Sequence, residues 1–107
     1  MDRPTIEMRI AETMKLLRES KADNLVLATY TREEFAKLRP LDNYDEYKRG
    51  ERLFAEGLAA RGLLGRIRFQ FIDAAGFRNW LARHPGIKPD EHARAAYATS
   101  LATGTDV

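Results

Sequence analysis

Hydrophobic residues recur at helical spacing near the start of the chain. Ile6, Ile10, Met14 and Leu17 fall on one stripe of the segment 5–20. Charged side chains occupy most of the remaining positions, as on the solvent face of a surface helix. The pattern therefore predicts an amphipathic helix over this segment.

A second amphipathic pattern begins at Asn43, and Glu46 stands at the reciprocal position of a capping box. The pattern continues to Gly62, a residue type that commonly ends helices. Gly50 and Gly57 lie seven residues apart on nearly the same face, and a glycine inside a helix costs about 1 kcal/mol relative to alanine. We therefore expect another backbone to approach closely at this face. The apolar stripe of this helix consists of Tyr47, Phe54 and Leu58.

The clearest β pattern is the alternation over residues 66–72. Apolar and polar side chains alternate with the period of two that places them on opposite faces of a strand. This pattern predicts a strand with one buried and one solvent-facing side. The inward side chains are Ile67, Phe69 and Phe71, and the outward ones are Arg66, Arg68 and Gln70.

Residues 25–30 allow two interpretations. The short, partly β-branched run suits a buried strand, whereas Asn24 could instead cap a helix that continues to Leu38. The capping-box spacing that begins at Thr31 would start a new helix there, and that helix should end before Pro40. The strand is therefore the preferred interpretation.

Two further helices are predicted toward the end of the chain. Asp73 suits the N-cap of a helix that ends near His84, and the sequence Pro89-Asp90-Glu91 suits the start of a last, alanine-rich helix. The polar tail from Thr103 should fray. The large apolar residues of these helices are Phe77, Trp80 and Leu81 in the first and Tyr97 and Leu101 in the second.

Together the elements predict an α+β fold that is predominantly helical, with a small sheet of about two strands and the order α-β-α-α-β-α-α. A chain of 107 residues suffices for one domain, and we expect residues 1–103 to form it and residues 104–107 to be a frayed tail. A two-stranded sheet has two edges that need covering or pairing. Helices could cover them, or strand 66–72 could pair with a second copy in a homodimer.

Composition narrows the class of protein. The chain is 44% hydrophobic and 32% charged, which excludes a disordered or collagen-like chain. It has no cysteine, which excludes disulfides and thiolate chemistry. The first residues lack the apolar segment of a secretory signal, and the longest aliphatic run, residues 25–28, is far shorter than a membrane span. We therefore expect a soluble cytoplasmic protein that does not bind membranes.

Patterns that would carry catalysis are largely missing. Neither serine sits in a nucleophile elbow, and no glycine-rich loop has a phosphate-binding ending. His84 and His92, with Asp90 and Glu91 nearby, could form a metal site, but helix-terminus chemistry explains these residues better. The same chemistry explains the acidic residues around Asp45. We predict a protein that is not an enzyme and has no metal or cofactor.

Charge is distributed unevenly, although the net charge is only +2. The segment from Arg61 to Lys88 contains six basic residues and one acidic residue, which gives it a local net charge of +5. From residue 66 the order of strand, short helix, turn and helix is that of dimeric β-ribbon DNA readers, whose paired strands lie in the major groove. Arginine pairs with guanine and glutamine with adenine. The segment thus predicts a small regulatory protein that binds nucleic acid. The predicted binding residues are Arg66, Arg68, Gln70, Arg78, Trp80, Arg83 and Lys88.

Two alternatives stay open. A winged helix would use the helix that ends at Gly62 for recognition, but it needs a third strand where the sequence indicates a helix. A protein-binding module, such as an adaptor, an antitoxin-like partner or an inhibitor, could use a strand edge or the same mixture of arginines and aromatic residues. In such a module Trp80 could lie partly exposed beside Arg83 and Lys88.

Overall fold

The computed structural model describes residues 3–19 and 24–104. The predicted α+β fold and its order of elements are confirmed, with two strands in a parallel sheet. The elements are α1 (Arg3–Glu19), β1 (Leu25–Thr29), α2 (Arg32–Leu38), α3 (Tyr44–Ala60), a 3-10 turn (Leu64–Arg66), β2 (Ile67–Phe71), α4 (Ala74–Ala82) and α5 (Glu91–Thr103).

Four helices begin where the sequence predicted, because each has a side-chain N-cap. The cap oxygens of Thr31, Asn43, Asp73 and Asp90 each accept a hydrogen bond from the backbone N–H three residues further on, at 2.7–3.2 Å. Each bond satisfies one of the N–H groups that a helix start leaves without an intrahelical partner. The strand interpretation of residues 25–30 is confirmed as well.

The chain forms two compact units. Unit 1 comprises Met1–Leu25 and Leu41–Arg68, and unit 2 comprises Val26–Pro40 and Phe69–Val107. The single domain predicted over residues 1–103 stays a prediction. Helix α5 continues to Thr103 and Gly104 follows in the left-handed conformation with φ of 69°, while residues 105–107 of the predicted frayed tail lie outside the described residues.

In unit 1, helices α1 and α3 pack against each other. Ile10 and Leu58 are buried, and a Cβ added at Gly57 would overlap the Cδ1 atom of Ile10. The close approach predicted at this glycine is therefore made by a side chain rather than by a backbone. The guanidinium carbon of Arg9 lies 5.6 Å from the ring centroid of Phe54, a cation–π distance.

In unit 2, aromatic rings form the centre of the core. The centroids of Phe77, Trp80 and Tyr97 lie 5.8–6.3 Å from one another, within the range of favourable aromatic pairs. Tyr30 and Phe35 form an edge-to-face pair at 5.7 Å. The short parallel sheet continues past its strands, since the Ile72 N–H donates to the Thr29 carbonyl at 3.1 Å.

The predicted two-sided strand is confirmed only at its beginning. Ile67 is buried and Arg68 is exposed, but Gln70 is half-buried and Phe71 is 57% exposed. Strand β2 ends at Phe71, and Ile72 takes the buried position as the chain turns toward the cap of α4. The inward orientation predicted for Phe71 is therefore wrong.

No described helix combines the length and the apolar character that a bilayer crossing requires.

Candidate functional site

Three of the predicted binding residues belong to β2 and the turn before it. Arg66 ends the 3-10 turn and Arg68 lies in the strand, both in unit 1 and both exposed. Within the described residues, the Arg68 guanidinium has no hydrogen bond, ion pair or ring contact. Gln70 belongs to unit 2 and is half-buried, and its Nε2 donates to the carbonyl of Phe71 at 3.1 Å. Its amide is thus held locally rather than presented outward as predicted.

The remaining predicted residues belong to unit 2. Helix α4 turns an exposed face to solvent, and Lys88 is exposed in the loop that follows. The positions of that face recur every three or four residues, which places them on one side of the helix. We call this surface the α4 face; it consists of Ala75, Arg78, Asn79, Ala82 and Arg83.

Asp73 is the one acidic residue between Arg61 and Lys88, and the structure places both of its oxygens in hydrogen bonds. Oδ2 accepts from the Gly76 N–H at 2.7 Å, and Oδ1 accepts from the Tyr97 hydroxyl at 2.9 Å. A Cβ at position 76 would overlap the Tyr97 hydroxyl oxygen, so only glycine leaves room for this bond. The carboxylate therefore caps α4 and holds α5.

Tyr97 has an unusual environment for a tyrosine. Burial, the hydrogen bond to Asp73 and the negative charge of that carboxylate together raise the pKa of its hydroxyl to about 12, with burial the largest cause, while Arg83 opposes the shift. The hydroxyl therefore stays protonated and serves as a donor. Sequence analysis treated Tyr97 only as an apolar residue, because its partner lies 24 positions away.

Trp80 is 4% exposed, so the expectation that it lies partly at the surface is wrong. Its ring stacks on that of His84 with a centroid distance of 4.2 Å, and His84 Nδ1 lies 2.7 Å from the Trp80 carbonyl oxygen. Trp80 follows Phe77 by three residues and therefore shares its buried helix face. Within the described residues, no partner accepts a hydrogen bond from its Nε1.

The histidine and acidic residues around the turn 84–91 interact with the ends of helices α4 and α5. Asp90 caps α5, and the Ala93 N–H lowers the pKa of its carboxyl. His84 contacts the last turns of α4 through its Nδ1 atom and its stacked ring. In the part of the chain that the structure describes, no three histidine or carboxylate side chains gather as a metal ion would require.

Sequence analysis did not predict two further polar contacts of unit 2. The Ala74 N–H donates to Glu34 Oε1 at 2.7 Å, and Arg94 Nε donates to the Tyr30 hydroxyl at 2.8 Å. Glu34 stands at the capping-box position behind Thr31, where a local bond to the cap backbone was the natural expectation. No local pattern signals partners that lie 40 and 64 positions away.

A groove lies beside the α4 face, between α4 and α5. Its volume is about 380 Å³, and Asn79, Arg83 and Ser100 contribute polar side chains to its lining. The Ser100 hydroxyl donates to the Tyr97 carbonyl at 2.7 Å. The groove extends the polar surface that Arg83 begins.

The sequence matches no protein-family model, and comparisons with curated proteins and with solved structures give no match either.

Proposed function

We propose that this protein is a small, non-enzymatic binding protein that binds nucleic acid through its basic segment 61–88. The observation that supports the proposal is the engagement of Asp73, whose two oxygens accept from Gly76 and Tyr97. The one carboxylate of the segment is thereby committed to helix capping and packing. The exposed guanidinium groups of Arg68 and Arg78 have no carboxylate partner among the described residues.

The exposed basic residues can meet phosphates without sequence preference, and arginine can also read guanine edges. The α4 face contributes Arg78, Asn79 and Arg83, and Lys88 follows in the loop. Arg66 and Arg68 supply the same chemistry from the start of β2. Trp80 is buried and therefore does not belong to the proposed surface. Gln70 could pair with a base only if its hydrogen bond to the Phe71 carbonyl were broken.

Binding to labelled duplex DNA and to an RNA of the same length, measured by fluorescence anisotropy over a salt series, tests the proposal. Each neutralised phosphate releases counterions, so four contacts should weaken binding about a hundredfold between roughly 50 and 200 mM salt. Wild-type protein that binds neither nucleic acid at the lowest salt would contradict the proposal.

A matched pair of variants separates the effect of the predicted binding arginines from the effect of net charge. Arg68→Glu/Arg78→Glu and the control Arg49→Glu/Arg52→Glu both replace exposed arginines and both lower the net charge from +2 to −2, two units per substitution. The first should bind at least about tenfold more weakly with a salt slope smaller by about 2. The control on α3 should retain most of the affinity. Equal losses of affinity in both variants would mean that net charge, and not these particular arginines, drives binding.

The exposure of Phe71 favours a second candidate, a protein-interaction module such as an adaptor, an antitoxin-like partner or an inhibitor. Its ring is 57% exposed, and exposed aromatic residues near arginines are typical of interface hot spots. The described sheet has two strands, so β2 pairs with β1 along one edge and a second copy could pair along the other. If the partner is a second copy, sedimentation equilibrium should show a dimer that Phe71→Ser dissociates, whereas Phe71→Ser should leave duplex binding unchanged if nucleic acid is the partner.

A further inference from the structure

The α4 face presents two adjacent polar side chains that have no partner in the protein. Arg78 and Asn79 are exposed, and within the described residues neither side chain has a hydrogen bond, an ion pair or a ring contact. Successive residues of a helix are about 100° apart, so the two side chains diverge from the middle of the face, which Ala75 and Ala82 occupy. The alanines are short, so a partner can approach the helix closely enough for both polar groups to reach it.

The charges around this face favour a polyanion. Arg83 lies on the face as well, and the groove between α4 and α5 that adjoins it has no carboxylate among its described lining residues. The two acids at the start of α4 are engaged, since Asp73 caps the helix and binds α5 and Glu34 accepts from the Ala74 N–H. The face therefore carries a net positive charge, which is complementary to a phosphate backbone.

The size and the chemistry of the face match the major groove of B-form DNA. That groove is about 12 Å wide, and an α-helix with its side chains is about 10–12 Å across. Helix α4 (Ala74–Ala82) has nine residues. At 1.5 Å per residue it is roughly 13 Å long, which is about the rise of four base pairs. Arginine can form two hydrogen bonds with guanine and asparagine two with adenine, and both pairs use base edges that the major groove exposes.

We propose that α4 is a recognition helix that lies in the major groove of B-form DNA, where Arg78 pairs with a guanine and Asn79 with an adenine. Arg83 contacts the phosphates beside the groove. This inference rests on the proposed nucleic-acid function and adds to it the form of the nucleic acid, the helix that enters it and a sequence preference. An RNA duplex should bind more weakly, because its major groove is too deep and narrow for side chains to read.

Selection of bound duplexes from a DNA library with randomised base pairs tests the proposal on the full chain. The enriched sequence should contain guanine and adenine close together. It should bind at least about tenfold more tightly than a scrambled duplex, and than an RNA duplex of the same sequence. Binding without any enriched sequence, or equally tight binding of the RNA duplex, would overturn this inference and leave the proposed function standing. A wild-type protein that binds no nucleic acid would overturn both.

Two substitutions that preserve the net charge locate the contacts. Arg78→Lys loses the planar fork that pairs with guanine, and Asn79→Ala loses the amide that pairs with adenine. Each should bind the enriched duplex about tenfold more weakly, with the same affinity for the scrambled duplex and the same salt slope as the wild type. Thr99→Ala, exposed on α5 outside the groove lining, is the control and should bind as the wild type does. Unchanged binding of the enriched duplex by both variants would contradict the proposal.

A modified base identifies the groove. 7-Deazaguanine in place of the enriched guanine removes the N7 acceptor, which faces the major groove, and leaves base pairing intact. It should weaken wild-type binding about tenfold and should weaken the binding of Arg78→Lys less. Unchanged wild-type affinity for the modified duplex would mean that Arg78 does not read this guanine in the major groove, and the proposal would be wrong.

Discussion

The two compact units are stabilised by different kinds of contact. In unit 1, the contacts between α1 and α3 include the apolar packing of Ile10 at Gly57 and the position of Arg9 over Phe54. In unit 2, an aromatic core is accompanied by three hydrogen bonds between residues 24 to 64 positions apart. Packing of the first kind depends on volume, whereas buried polar bonds depend on single atoms and on their protonation. The two units should therefore respond to different perturbations.

Truncation of the core of unit 1 should have the largest effect. Leu58 is 0% exposed, and Leu58→Ala should lower the free energy of unfolding by about 2–5 kcal/mol, since it removes buried methyl groups and leaves a cavity. Urea denaturation followed by circular dichroism measures the loss. Leu53→Ala on the same helix, at a position 40% exposed, is the control and should cost less than about 1 kcal/mol. Equal costs would contradict the volume argument for unit 1.

The same substitution at two glycines compares the units directly. Gly76→Ala places a Cβ on the Tyr97 hydroxyl and the Asp73 carboxylate, and should lower the free energy of unfolding by about 2 kcal/mol because it disrupts an N-cap and a partly buried hydrogen bond. At Gly57→Ala the one overlap of the new Cβ is with the end of the Ile10 side chain, while Arg61 Nη1 lies at an ordinary contact distance of 3.7 Å. There the gain in helix propensity, about 1 kcal/mol, should offset most of the displacement. Thermal and urea unfolding measure the change in the free energy of unfolding of both variants. A larger loss for Gly57→Ala than for Gly76→Ala would contradict the prediction.

The buried Tyr97 hydroxyl, with its hydrogen bond to Asp73, should make the stability of unit 2 decrease at alkaline pH. The pKa of Tyr97 is raised from 10.0 to about 12, so the folded state favours the protonated hydroxyl. This contribution is fully present below pH 10 and is lost as the pH rises through 12. Tyr97→Phe should therefore be less stable than wild type by about 1 kcal/mol at pH 8, and that difference should shrink as the pH rises above 10.

Urea unfolding at several pH values up to 11 checks this prediction. Asp73→Asn separates the effect of charge from that of hydrogen bonding, because asparagine can still cap α4 and accept from the Tyr97 hydroxyl but carries no charge. It should bring the pKa of Tyr97 back toward its ordinary value. A difference between wild type and Tyr97→Phe that stays constant with pH would show that the hydroxyl contributes by packing alone.

The parts of the fold that follow local rules could be predicted from the sequence. Helix starts at Thr31, Asn43, Asp73 and Asp90 were predicted because a cap and its N–H partner lie three residues apart. The exposure of Arg68 followed from the period of the strand. Such features require no knowledge of distant segments.

The features that sequence analysis missed depend on distant segments. The strand ends one residue before the buried Ile72, so Phe71 is exposed and the period of two breaks. Trp80 was expected near the surface with the arginines, but the rings of Phe77 and Tyr97 enclose it. The uneven charge of segment 61–88 was visible in the sequence, whereas the engagement of its one acid by Tyr97 was not.

The smallest predicted effect concerns the polar link between α2 and α4. The Ala74 N–H, and after it Lys37, lower the pKa of the Glu34 carboxyl, which accepts bonds from both. A lowered pKa in the folded state means that the carboxylate's contribution to stability is present above the unfolded value of 4.5 and is lost as the pH falls through the folded value.

Glu34→Gln should therefore reduce the loss of stability on the acid side of a plot of the free energy of unfolding against pH. Glu33→Gln, exposed one position earlier, should leave that profile as in the wild type. If both variants lose stability on acidification as the wild type does, the link between Glu34 and Ala74 contributes nothing to the pH dependence of stability.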